Sequence, residues 1–148
     1  MASPAEARTV REPAGKAASA ITWDVLAAVA AGGAIGSVLR WSTSLVWPGP
    51  ASTFLVNVLG CLAIGVLMCV ITELVTPHRL LRPFLGVGVL GGFTTFSTYV
   101  TDALRLALSA PLAALGYLLA TVLCCLLAVF VGITATRALS RGLRREAA

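Results

Sequence analysis

The sequence predicts an all-α membrane protein of four transmembrane helices, and three observations predict it. Only 11% of the 148 residues are charged, 58% are hydrophobic, and mean hydropathy is +0.94. A soluble domain carries roughly 25% charged residues, so most of this chain's surface must face something other than water. Four apolar blocks, near residues 23–47, 52–75, 81–108 and 111–137, are each long enough to cross a bilayer. A hydrocarbon core of about 30 Å takes about 20 helical residues. Finally, the flanks are too small to form a domain. Residues 1–20 read as a disordered polar tail without the apolar region of a signal peptide, and residues 139–148 as a short basic tail. The working unit is the four-helix region 21–138.

The net charge of +5 does not point to nucleic acid, because the basic residues lie at span ends and in the tails. There they set topology and touch anionic lipid. Four spans put both termini and the loop between spans two and three on one side. That side carries Arg8, Arg11, Lys16, Arg79, Arg82, Arg137, Arg141, Arg144 and Arg145, against Arg40 and Arg105 opposite. The excess predicts cytoplasmic termini and a single direction of insertion into the cell membrane.

In the first span, AGGAIGSVLRW places Gly32 and Gly36 in a GxxxG pair, a face on which a second backbone can approach closely. Arg40 sits about one turn inside the span's outer end, where it snorkels or pairs with a helix carboxy terminus. The second span, TFLVNVLGCLAIG, holds one amide, Asn57, among Leu, Val and Ile. Such a residue is costly in a bilayer and faces a bundle interior or a polar path; here it is either interhelical glue or the lining of a pathway. In the fourth span Tyr117, Thr121 and Cys125 recur at i, i+4 and i+8, an uncharged polar stripe on one helical face. Cys61, Cys69 and Cys124 read as packing residues. With no CxxC pair and His78 the only histidine, neither a zinc site nor a disulfide framework is expected.

The third span contains GGFTTFSTYV, a poor stretch of membrane helix. Gly91 and Gly92 offer no side chains to resist a break, and Thr94, Thr95, Ser97 and Thr98 can satisfy freed backbone groups. The helix is therefore predicted to break near 91–94, which is tolerated at membrane depth only where the backbone is buried or lines a cavity. Discontinuous spans of this kind bind ions. Phe93, Phe96 and Tyr99 follow at every third position, and electropositive ring edges can solvate an anion without a formal charge. Asp24, Glu73 and Asp102 are expected near span ends, leaving no carboxylate at depth for proton-coupled transport.

GGAIGSVLRW, TFLVNVLGC and GVGVLGGFTTFSTY, in this order and on these spans, resemble the fluoride channel family known as CrcB or Fluc. The resemblance covers all four spans and neither tail; GGxTTFST is its specific motif. It implies an antiparallel dimer of dual-topology type with two narrow pores, exporting fluoride passively from the cytoplasm. It also implies a structural Na⁺ on the dimer axis, held by the backbone carbonyls of Gly91 and Thr94 from each subunit. Phe96 matches one pore phenylalanine, and Tyr99 stands where the family has a second. Asn57 matches the pore amide, with the hydroxyls of Thr95, Ser97 and Thr98 nearby. Tyr117, Thr121 and Cys125 fall on a polar track, and Arg40 on the arginine ending the first span.

Two features depart from a homodimer of dual topology: the lopsided Lys/Arg distribution and Tyr99 in place of Phe. They favour a subunit of fixed orientation pairing with an oppositely biased homologue, with the homodimer as the alternative. A small four-helix exporter and a non-conducting packing subunit of a membrane complex are the competing readings. No nucleophile–base pair or phosphate loop suggests an enzyme.

Overall fold

The computed structural model describes residues 22–146; the expected tail 1–20 and the last two residues lie outside them. Four helical spans are long and apolar enough to cross a membrane: Trp23–Val46, Pro50–Leu74, Arg82–Ser109 and Pro111–Leu143. The chain is thus a multi-pass membrane protein, with span limits close to those expected except at the last end.

Helix α1 (Trp23–Val46) starts after the extended Thr22, with the Asp24 carboxylate accepting from Val25 N–H at 3.0 Å in the first turn. It ends at Trp47-Pro48-Gly49-Pro50, where Gly49 takes the left-handed φ of 97°. Pro50 then opens α2 (Pro50–Cys69), a first-turn position where its missing N–H costs nothing. Over Val70–Leu74 the hydrogen bonding widens to the π pattern before the chain leaves the helix at Val75. Helix α3 spans residues 82–93, with π-type turns over Arg82–Leu90 and α geometry over Gly91–Phe93. Thr94 and Thr95 are extended (ψ 157° and 126°), and α4 (Phe96–Ala107) follows them.

Helix α5 (Pro111–Glu146) outlasts its expected end by about two turns. Ala138, Leu139, Arg141, Leu143, Arg144 and Arg145 are good helix formers, and arginines near a helix carboxy terminus complement its dipole. The basic segment after residue 138 is therefore a continuation of the helix through Glu146.

The helices pair as α1 on α3 and α2 on α5, with α4 crossing onto α5. Both pairs rest on glycine. A Cβ on Gly32 would lie 2.3 Å from Phe84 O, and one on Gly36 2.1 Å from Val89 O, so the backbones of α1 and α3 touch. In the other pair a Cβ on Gly65 would lie 2.5 Å from Val129 O, and one on Gly132 2.6 Å from Leu62 O. Backbone contact of this kind is how membrane helices gain packing without a hydrophobic driving force.

Helices α2 and α5 run parallel and in step, with residues on the facing side of α2 set beside those 64 further along. Thr53 meets Tyr117, Cys61 meets Cys125, Gly65 meets Val129, and Glu73 meets Arg137. Rungs four residues apart are about 6 Å apart along the axis, so this ladder runs about 30 Å from Thr53 to Glu73. It closes on an ion pair, Arg137 Nε to Glu73 Oε1 and Oε2 at 2.9 and 3.0 Å. At the same end Arg79 pairs with Asp24.

Candidate functional site

The extended pair Thr94-Thr95 is held from three sides. Thr94 closes α3 with two bonds to the Leu90 carbonyl, from its N–H and its hydroxyl, both at 3.0 Å. Thr95 caps α4: its hydroxyl accepts from Thr98 N–H at 3.2 Å and donates to Thr98 Oγ1 at 3.0 Å. Such a cap satisfies one of the orphan donors of the new helix. Asn57 supplies the third hold from α2, where Nδ2 donates to Thr95 O at 3.0 Å and Thr95 N–H donates to Oδ1 at 2.8 Å. The amide thus stands in for a neighbouring peptide group and leaves neither backbone group of Thr95 unpaired.

This clamp releases carbonyls. In an unbroken helix Thr95 N–H would donate to Gly91 O; here it is turned to Asn57, so Gly91 O lacks its helical donor. Thr94 O accepts from Arg40 Nη1 at 3.1 Å, which leaves one of its two lone pairs. Gly91 and Thr94 therefore offer the hard oxygen donors that a small cation takes. Two oxygens from one chain make only part of a coordination shell.

Below the clamp lies a cavity of about 350 Å³ lined by Asn57, Cys61, Thr94, Thr95, Phe96, Tyr99, Thr121 and Cys125 with apolar residues of α5. It joins Thr121 and Cys125 of the α5 stripe to Asn57 and Cys61 of α2, whereas Tyr117 lines a separate groove with Trp47, Pro50 and Phe54. The aromatics stack beside it: Phe96 and Tyr99 centroids are 5.9 Å apart, Tyr99 and Tyr117 5.5 Å, all tilted. Phe96 is 77% exposed on this single chain, whereas Tyr99 is buried. Ser97 and Thr98 are also exposed.

The hydroxyls differ in what they have left to give. Tyr99 O–H donates to Leu118 O at 2.8 Å, and Thr121 O–H donates to Tyr117 O at 2.7 Å on its own helix. The Tyr117 hydroxyl, beside Thr53, is buried without a hydrogen-bond partner among the described residues. Asn57 Nδ2 carries two hydrogens and uses one on Thr95. The Thr95 hydroxyl spends its hydrogen on Thr98, so Ser97 O–H donates to Thr95 Oγ1 at 3.4 Å; donors remaining for an anion are thus the second Asn57 hydrogen, the Tyr117 phenol, the Thr98 hydroxyl and the thiols.

A second, 200 Å³ cavity on the far side of Thr95 is lined by Ser37, Arg40, Ser44, Ser52, Thr53 and Thr98 among others. Arg40 links it to the extended pair through Thr94.

Asp102 lies toward the end of the third span, beside Gly49, Pro50 and Ser109, and its side chain faces inward: it is 5% exposed, and Thr53 Oγ1, in the first turn of α2, donates to its Oδ2 at 2.6 Å. Helical phase is the signal for that burial, since Tyr99, Asp102 and Ala103 share the buried face of α4.

The family model described as CrcB-like protein, Camphor Resistance (CrcB), matches residues 27–133. The "Fluoride-specific ion channel FluC 2" of Nocardia farcinica is 51% identical over 127 residues, 82% of this chain and 91% of that protein. FluC 1 of Streptomyces coelicolor is 51% identical over 119 residues, 76% and 77% of the two chains. Streptomyces avermitilis has two relatives: FluC 2 is 53% identical over 103 residues (66% of this chain, 65% of its own). FluC 3 is 45% identical over 87 (55% and 43%). With a family model that spans most of the four-helix region and relatives half identical across it, the chain belongs to the CrcB-like protein family.

Proposed function

We propose that the chain is one subunit of a fluoride-selective passive channel that releases fluoride from the cytoplasm and so relieves its toxicity; it is not an enzyme. The family relatives named for fluoride support this, and the observation that carries it to residues is the uncharged polar lining of the cavity at Asn57, Thr95, Thr121 and Cys125, with the unpartnered Tyr117 hydroxyl one helical turn from Thr121. Fluoride is small and holds its water tightly, so a narrow path must replace that water with many donors. The second Asn57 hydrogen, the Tyr117 phenol and the exposed Thr98 hydroxyl offer these, the exposed Ser97 stands beside them, and the tilted rings of Phe96 and Tyr99 add electropositive edges. Thr95, Thr98, Thr121 and Cys125 complete the polar lining. None carries a fixed positive charge that would trap the ion.

The third span works in this reading as a discontinuous helix. Two subunits arranged antiparallel would bring their breaks together, so that Gly91 and Thr94 carbonyls from each hold a Na⁺. That ion would fix the two breaks against each other by charge alone. Arg40, on the remaining side of the Thr94 carbonyl, holds this turn in place. The exposed Phe96 would then meet the partner rather than lipid. Gly32 and Gly36 keep α1 tight against α3 behind the break. The one-sided arginines favour a heterodimer in the cell membrane with this chain's termini cytoplasmic, and the numbered FluC copies of Streptomyces avermitilis are a precedent for paired genes.

The deciding measurement is fluoride release from proteoliposomes containing this chain with and without a homologue of opposite charge bias, read by a fluoride electrode. Fluoride flux without chloride flux is expected, lost in Phe96→Ile and weakened when a bulky organic cation replaces Na⁺. Chloride passing as readily as fluoride overturns the reading. The buried Asp102 keeps one competitor, a proton-coupled exporter; flux that needs a pH gradient would favour it.

A further inference from the structure

Cys61 and Cys125 are separate in sequence and had no reason to be read together. The in-step packing of α2 and α5 makes them the rung between Asn57–Thr121 and Gly65–Val129. At the Gly65 rung the backbones are in contact, so one turn away the two side chains have only a short gap to cross. Cys61 and Cys125 therefore lie at one level on two closely packed helices, and both line the 350 Å³ cavity. Neither is in a disulfide. Cys124, next in sequence, is turned by about 100° about the helix and does not line this cavity.

We propose that Cys61 and Cys125 form a dithiol site for a soft, two-coordinate divalent cation of the mercuric class, set in the wall of the candidate pathway and closing it when filled. Thiolate sulfur selects soft metals. Among the described residues no group of three or more His, Cys, Asp or Glu side chains could complete a higher-coordinate site, and a linear S–metal–S bridge needs only two. Each thiol gives its proton to water, the cation sheds its two chloride or water ligands as two metal–sulfur bonds form, and no electron is transferred. Two thiolates and one divalent cation are together neutral, the charge state that a low-dielectric wall tolerates. The bridge would stand one rung from Asn57, across the space that an anion must use. This rests on the reading of the cavity as the pathway.

The test uses the full chain with HgCl2 at micromolar concentration and has two readouts. Intact mass in mild detergent is expected to show one mercury gained and two protons lost, with Cys61 and Cys125 jointly protected from maleimide and the Cys69→Ala/Cys124→Ala variant giving the same adduct. Fluoride flux in proteoliposomes that also contain a homologue of opposite charge bias is expected to stop and to return with excess dithiol. Either Cys61→Ala or Cys125→Ala should raise the mercury needed for the adduct roughly 100-fold, as one of two linked ligands is lost. Mercury on Cys69 or Cys124 with Cys61 and Cys125 still alkylated overturns the site. An adduct at the right pair that leaves an active flux unblocked overturns its place in the pathway. If the adduct forms but the untreated chain, reconstituted with a homologue of opposite charge bias, carries no fluoride, the channel reading fails and the dithiol site stands.

Discussion

Tyr99 and Tyr117 carry the same side chain, stack on each other, and hold their hydroxyls in opposite states. The Tyr99 hydroxyl is bonded to Leu118 O across two helices, while that of Tyr117 is buried and unpartnered. Removing a made bond strands the Leu118 carbonyl's partner position and costs about 1 kcal/mol, whereas removing an unpartnered buried hydroxyl is neutral or stabilising. Tyr99→Phe should therefore lower thermal stability in detergent by about that amount, and Tyr117→Phe should leave it level or raised. Flux should respond in the other sense at Tyr117. A hydrogen bond to a charged partner is worth about 1.5–3 kcal/mol, so losing its donor should slow fluoride release about tenfold or more. A Tyr117→Phe protein that melts early and conducts normally would contradict both halves. At this scale the sequence exposes residue type and little else. Asn57 stands out as an amide among aliphatics, but Thr95, the residue whose backbone it clamps, lies 38 positions away and nothing local announces it. Distance from a span end says nothing about which face a side chain occupies, so the burial of Asp102 against Thr53 was not legible.

The ladder between α2 and α5 belongs to the element scale. Its spacing depends on Gly65 and Gly132, where an added Cβ would fall 2.5 and 2.6 Å from backbone oxygen that cannot step aside. Gly65→Leu or Gly132→Leu should push the helices apart at a cost of about 1–3 kcal/mol, the usual penalty of overpacking. The rungs should separate with them, so that a bifunctional thiol reagent no longer joins Cys61 to Cys125. Gly33→Ala is the control, since nothing lies within 4 Å of a Cβ there. Cross-linking that survives Gly65→Leu would show that the register does not depend on this contact. The polar stripe of α5 and the GxxxG of α1 were legible from helical periodicity alone. Their partners were not, because pairing α2 with α5 and α1 with α3 is a tertiary choice that periodicity does not encode. The length of α5 was underestimated for a related reason: hydropathy stops at the membrane surface, while helix propensity continues through Leu139 and Leu143.

Over the whole molecule, charge and depth bear on orientation together. At one end the pairs Arg79–Asp24 and Arg137–Glu73 tie the helix ends. They leave the excess of Lys and Arg on that side intact, because acidic residues weigh little in orientation. At the other end Arg40 is not a loop charge, since its guanidinium is engaged with the Thr94 carbonyl at the break. Only Arg105, in the last turn of α4, remains there to pull the opposite way. The imbalance is therefore steeper in the folded protein than a count along the chain suggests, and a chain so biased should insert in one direction. A tag after Ala148 should be cleaved by protease in inverted membrane vesicles and protected in intact spheroplasts, with nearly all molecules behaving alike. Adding three lysines between Trp47 and Ala51, while neutralising Arg79 and Arg82, should move part of the population to the opposite orientation. If the unaltered chain already divides evenly between the two, the argument from charge fails and a homodimer becomes the simpler assembly. If it inserts one way, an antiparallel pair cannot be made from this chain alone, and flux should appear only when a homologue of reversed bias is expressed beside it.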